Sequence, residues 1–102
     1  MMNMSEMMKQ AAALQAQLEE TQRELAAATF MGSSSQGLVT ATFSGAREMT
    51  GLTIRPELLA QNNPSLLQDY VVEAVNAALD EIDTTTKQKL GPLAGGLNLP
   101  FS

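Results

Sequence analysis

With 102 residues and no cysteine, the chain has room for one small domain and cannot form a disulfide or a thiolate metal site. Hydrophobic residues make up 44% of it, which argues against disorder, and the absence of histidine removes the commonest general base and metal ligand. The net charge of −5 argues against simple electrostatic attraction to nucleic acid or to an anionic membrane.

Residues 1–28 are predicted to form a long amphipathic helix that begins near Met4. Asn3 and Glu6 have the spacing of a capping box, and small and apolar side chains then recur in alternating steps of three and four. Such a helix is about 39 Å long at about 1.5 Å per residue, more than a body of this size covers. The apolar stripe along this helix is here called the seam, and we expect a second copy of the chain to cover it. The residues expected to make the dimer contact are Met7, Leu14, Leu18 and Leu25.

Residues 29–55 are predicted to form a three-stranded antiparallel meander, because short alternating runs are separated by turn-forming residues. The clearest run is 37–44, whose alternate side chains share one face. A turn at residues 44–47, in which Gly45 is free to adopt a positive φ, leads into a returning strand that Pro56 ends. A sheet with one apolar face needs a covering layer, and the next helix is the expected cover.

Residues 63–90 are predicted to form the second helix, with Asn63 as its N-cap and Pro64 at its first position. A Gly-Pro pair then stops it, and residues 91–102 are expected to form a flexible tail. The chain is thus predicted to be a single α+β domain, residues 1–102, in the order α-β-β-β-α. The apolar stripe of the second helix consists of Leu67, Val71, Ala74, Ala78 and Ile82.

No residue pattern predicts catalysis, a cofactor or a metal site. The serines at 33–35 lie in what we expect to be a flexible loop, with no base nearby to activate them. Glu73, Asp80 and Glu81 form an acidic face on the second helix without a second set of ligands. We therefore expect a protein that is not an enzyme and has no cofactor.

The expected location is the cytoplasm. Glu6 and Lys9 interrupt the N-terminal apolar stretch and no basic segment precedes it, so no secretory signal is expected. Residues 25–46 are uncharged, but the glycines and serines at 32–37 exclude a membrane span. We therefore expect no membrane partner.

Any binding of nucleic acid would need several of the six basic residues to converge in a dimer, because each one alone has another role at the surface. Arg23 follows Glu20 by three residues and Lys87 follows Asp83 by four, the spacing of intrahelical ion pairs. No aromatic residue lies beside the bases to stack on a nucleobase, so contacts with DNA are expected to be to phosphates. The candidates are Lys9, Arg23, Lys87 and Lys89 on or near the helices, with Arg47 and Arg55 as weaker ones.

Five short strings, spread over nearly the whole chain, carry a family resemblance. They are Met-Met-Lys-Gln-Ala at 7–11, Gly-Leu-Val at 37–39, Ile-Arg-Pro-Glu-Leu-Leu at 54–59, Tyr-Val-Val-Glu-Ala-Val-Asn-Ala-Ala at 70–78 and Gly-Gly-Leu-Asn-Leu-Pro at 95–100. In this order and spacing they resemble the YbaB/EbfC family of bacterial nucleoid-associated proteins.

The resemblance implies a homodimer with a central joined sheet and protruding helices, a shape described as tweezers. It also implies binding to duplex DNA with weak or broad sequence preference, a role in bacterial chromosome organisation in the nucleoid, and no catalysis. An alternative stays open, because both helices are net acidic. In that alternative the chain is a dimeric protein-interaction module whose acidic surface meets a basic partner, and its association with DNA is indirect.

Overall fold

The computed structural model describes residues 3–97 and, as far as residue 93, their side chains. The molecule is elongated, with extents of 70 × 20 × 16 Å. Its order confirms the predicted α+β architecture, with one short helix between the sheet and the last helix. The elements are α1 (Met4–Ala27), β1 (Thr29–Ser33), β2 (Val39–Ser44), β3 (Met49–Ile54), α2 (Pro56–Ala60) and α3 (Pro64–Leu97), with a 3-10 turn at Ser35–Gly37.

Helix α1 has two halves with different surroundings. It begins as predicted, because the Asn3 side chain accepts a hydrogen bond of 2.8 Å from the Glu6 amide. In its C-terminal half, Leu18 and Leu25 are buried in the core. Residues 4–13, here called the N-terminal arm, are exposed throughout. The arm projects from the body, and its apolar side chains include Met4, Met7 and Met8.

The three strands form one antiparallel sheet in chain order, which confirms the meander. Phe30 lies opposite Phe43, and Ala41 lies opposite Leu52. Alternate residues of β2 are buried, as the sequence pattern predicts. In contrast, β3 is exposed except for the half-buried Ile54, because the covering helix packs on β1 and β2.

Helix α3 covers the apolar face of the sheet at very short range. Ala74 and Ala78 are fully buried against β1, where Gly32 faces them. A Cβ atom on Gly32 would lie 2.2 Å from the Ala78 nitrogen and 2.4 Å from the Ala74 oxygen. Small residues on both elements therefore let the helix backbone approach the strand.

The start of α3 is confirmed and its end is corrected. The Leu66 amide donates to the Asn63 side chain at 3.2 Å, as expected for an N-cap. The predicted stop at residue 90 is wrong, because α3 continues through Pro92 to Leu97. Proline removes one helical hydrogen bond and crowds the preceding turn, but Leu90 is buried and packing against the core overrides this local signal.

The predicted flexible tail, residues 91–102, is therefore helical as far as Leu97. Leu93, the first apolar residue after the proline, packs half-buried against the core. Residues 98–102 lie outside the described part of the chain.

Short connections attach to the body rather than extending from it. Helix α2 follows the third strand directly and buries Leu58. In the loop after β1, the buried Ser34 hydroxyl accepts a hydrogen bond of 2.9 Å from the Val39 amide, and Ser35 donates to Glu73 at 2.8 Å. These bonds fix a loop that the sequence predicted to be flexible. Of the helices in the described residues, none is apolar over a stretch that would cross a bilayer.

Candidate nucleic-acid interface

The six bases are all exposed, but they lie in separate parts of the molecule. Lys9 is on the N-terminal arm, and Arg23 is on the C-terminal half of α1. Arg55 lies between β3 and α2. Packing of the β2–β3 turn beside α3 brings Arg47 and Lys87 to the same concave surface.

This surface, the hairpin groove, has a volume of about 610 Å³. Gly45 and Gly91 contribute no side chains to it, which leaves it open. Its floor is apolar because Ile82 and Leu90 are buried, and its polar groups come from the turn and from one side of α3. The side chains that line it belong to Arg47, Ile82, Asp83, Thr86, Lys87 and Leu90.

The β2–β3 turn places Arg47 at the groove in an unusual conformation. The Ser44 amide donates to the Glu48 oxygen at 2.8 Å, and the Arg47 amide donates to the Ser44 oxygen at 3.0 Å. Arg47 itself has φ of 68°, in the left-handed region. A turn followed by one left-handed residue is a common way to close a hairpin, and glycine is the usual residue at that position.

The positive φ predicted for Gly45 therefore falls on Arg47 instead. Gly45 is needed for a different reason, since a Cβ atom there would lie 1.7 Å from the Leu25 oxygen at the end of α1. The Gly45 amide also donates to the Ala28 oxygen at 3.0 Å. Close approach to α1, rather than a left-handed backbone, thus explains this glycine.

Across the groove, the Arg47 guanidinium forms an ion pair and hydrogen bond with the Asp83 carboxylate. The sequence spacing paired Asp83 with Lys87 on the same helix. The two partners are 36 residues apart, so no local pattern predicts their contact. Their side chains are 53% and 46% exposed, which leaves the pair accessible to solvent and to ligands.

Two further bases are paired with nearby carboxylates. Arg23 lies 3.9 Å from Glu20, as the helical spacing predicts, and Arg55 lies 3.8 Å from Glu57. All of these groups are exposed, so the pairs are weak and exchange readily. Lys89 borders a smaller groove of about 250 Å³ between α1 and α3.

The residues of the predicted dimerisation seam are divided between the core of the protomer and its surface. Leu18 and Leu25 are buried in the protomer's own core. Leu14 is half-buried, and Met7 is 56% exposed on the N-terminal arm. The two members of the seam that are not fully buried are thus those nearest the N-terminus.

In the part of the chain that the structure describes, no three acidic side chains converge to hold a metal ion. Ser35, one of the three serines considered as nucleophiles, donates to a carboxylate that could act as a base, Glu73. This pair is exposed, and neither side chain lines a groove described above. The hydrogen bond between Ser35 and Glu73 joins the loop to α3.

Together these features define a small α+β protein in which a helix-covered meander carries two long helices and a scattered set of exposed bases. The chain belongs to the YbaB/EbfC DNA-binding family, whose family model matches residues 1–97. This confirms the resemblance seen in the sequence. A family of DNA-binding proteins also agrees with the expectation that the chain is not an enzyme.

Relatives extend over the full length of the chain. A nucleoid-associated protein of Lactococcus lactis is 50% identical over 101 residues, covering 99% of this chain and 100% of the relative. A nucleoid-associated protein of Streptococcus suis is 46% identical with the same coverage. The crystal structure of an uncharacterized Helicobacter pylori protein has a TM-score of 0.68 at 19% identity, covering 86% of this chain and 92% of that one, which supports the fold.

Proposed function

We propose that this chain is a nucleoid-associated protein that binds duplex DNA mainly through the phosphate backbone, with weak or broad sequence preference. Membership in a DNA-binding family along residues 1–97 carries this proposal. The names of the Lactococcus and Streptococcus relatives support a place in the nucleoid.

Contact with the phosphate backbone of DNA is favoured by the kinds of side chain on the protein surface. Phe30 and Phe43 are buried in the core and Tyr70 packs half-buried against it, so no aromatic ring of the described residues is fully exposed for stacking on a nucleobase. The six bases are exposed on long side chains, which suits contact with phosphates. Lys9, Arg23, Lys87 and Lys89 are the main proposed contacts, with Arg47 and Arg55 beside them.

The proposed binding unit is a homodimer in which helices protrude from a joined sheet. Within the described residues, β3 pairs with β2 on one side only, and an open strand edge is a ready site for pairing with another chain. Met49 and Leu52 are large apolar side chains exposed on this strand. Met7 on the N-terminal arm and Leu14 beside it supply further apolar surface for a second copy.

A titration of duplex DNA at several salt concentrations tests the proposal. With so few bases we expect two to four phosphates to be neutralised, so that the slope of log K against log salt is about −2 to −4. Duplexes of unrelated sequence should bind with similar affinity. A folded sample that binds no duplex even at low salt would contradict the proposal for the isolated protein.

A second candidate function is a protein-interaction module, favoured by the acidic surface of α3. Asp69, Glu73, Asp80 and Glu81 are all exposed on the part of this helix before the hairpin groove, and the net charge is −5. A basic protein partner would complement this surface. Recovery of the same protein partner in a pull-down before and after nuclease treatment would favour this function, and loss of all partners after nuclease would count against it.

A further inference from the structure

We infer that Asp83 covers Arg47 in the free protein and that a backbone phosphate of DNA displaces it, so that Asp83 limits the affinity of the hairpin groove. The inference rests on the proposed DNA binding and deepens it. It assigns an autoinhibitory contact to one carboxylate among the eleven acidic residues of the chain.

The charges of the groove provide the first argument. Arg47 lines it from the β2–β3 turn and Lys87 from α3, and Asp83, which also lines it, is paired with Arg47 and precedes Lys87 by one helical turn. A phosphate entering the groove therefore meets two cations and one anion. If the phosphate takes the place of the carboxylate on Arg47, both cations face it.

The exposure of the pair provides the second argument. Both side chains remain about half exposed, at 53% for Arg47 and 46% for Asp83. An ion pair in contact with water contributes little to stability, so exchange of one anion for another is easy. Guanidinium groups bind phosphate with paired N–H donors, and the dense charge of DNA favours this exchange at low salt.

The backbone of the turn provides the third argument. Arg47 occupies a left-handed position, φ 68°, where glycine or asparagine is favoured. The position carries a cation that reaches across to α3 rather than the residue that suits the turn best. Strain at a residue that lines an open groove points to a role beyond folding.

The experiment compares Asp83→Asn with Asp80→Asn in titrations of one duplex of mixed sequence. Both changes remove one negative charge from the same helix, but the Asp80 carboxylate is not within 4.0 Å of Arg47. We expect Asp83→Asn to tighten binding by about 5- to 10-fold at low salt and to steepen the salt slope by about 1 for each groove. Asp80→Asn should tighten binding by less than about 2-fold, because it acts only through the screened long-range electrostatic repulsion between the protein and DNA.

A double variant shows whether the gain passes through Arg47. Arg47→Asn removes the cation and suits a positive φ, so the turn is retained. In this background, Asp83→Asn should have no greater effect than Asp80→Asn. Circular dichroism checks that each variant is folded. If Arg47→Asn fails to fold, the comparison of Asp83→Asn with Asp80→Asn in the chain that keeps Arg47 still tests the inference.

Each outcome separates this inference from the proposed function. Equal gains for Asp83→Asn and Asp80→Asn, or a gain that survives Arg47→Asn, would overturn the masking of Arg47 while DNA binding itself stands. Tighter binding by Asp83→Asn than by the native chain, with no matching gain for Asp80→Asn, would support the masking. If the native chain and every variant fail to bind duplex DNA, the proposed function and the inference both fail.

Discussion

Two glycines set the distances at which the layers of this protein meet. Gly32 lets β1 lie against the backbone of α3, and Gly45 lets the β2–β3 turn lie against the end of α1. Any side chain at either position would collide with backbone atoms, which cannot move aside as a flexible side chain can. These residues therefore determine packing between elements.

Replacement of Gly32 by alanine should lower the free energy of unfolding by about 3 kcal/mol, because the helix must move away from the strand to admit one methyl group. Chemical denaturation measures this change. Gly51→Ala is the matched control, since its Cβ would have no neighbour nearer than 3.8 Å. That variant should be neutral or more stable by up to about 1 kcal/mol. Similar losses for the two variants would contradict the close contact at Gly32.

Helix α3 shows how packing extends a helix past a local stop. Pro92 has no amide hydrogen, so the helical hydrogen bond to residue 88 is absent. Leu90 and Leu93 lie on either side of it and contact the core. Burial of these leucines offsets the cost of proline inside the helix.

Replacement of Pro92 by alanine should therefore stabilise the protein by about 1 to 3 kcal/mol, because a hydrogen bond is restored and a steric contact is removed. Thermal unfolding followed by circular dichroism measures the gain. Gly91→Ala, whose Cβ meets no atom within 4 Å, should give about 1 kcal/mol from helix propensity alone. An unchanged melting temperature for Pro92→Ala would show that the helix does not depend on continuity through this residue.

The elements that could be predicted from sequence are those with local signals. The Asn3 cap, the alternation in β2 and the Asn63 cap each depend on neighbouring residues, and all three are confirmed. The end of α3 and the left-handed Arg47 could not be predicted, because both depend on what packs beside them. The same applies to the contact of Arg47 with Asp83, which requires the position of the hairpin relative to α3.

The distribution of apolar surface over the protomer bears on assembly. Leu18 and Leu25 stabilise the protomer itself, so a charge placed on either would test folding rather than association. Met7 is exposed on the N-terminal arm and Leu52 is exposed on β3, so these side chains are available to a second copy. Dimerisation is therefore best tested at the exposed end of the seam.

Light scattering should give a mass about twice the 10.9 kDa of one chain. Met7→Lys should shift the mass toward one chain, because burial of an unpaired charge in the dimer contact is unfavourable. Gln17→Lys adds the same charge to an exposed position of α1 and should leave the mass unchanged. A native mass of one chain at high protein concentration would contradict the dimer. An unchanged mass for Met7→Lys would show that the N-terminal arm is not part of the dimer interface.

The N-terminal arm also determines where a single protomer opens first. Residues 4–13 have no buried side chain, and helices shorter than about 12 residues are marginal in water without tertiary packing. In an isolated protomer, local unfolding of these turns thus requires far less free energy than global unfolding. If a second copy covers Met7, association raises that free energy by mass action. The order of the arm then depends on protein concentration, and amide hydrogen exchange in its turns becomes a local measure of assembly.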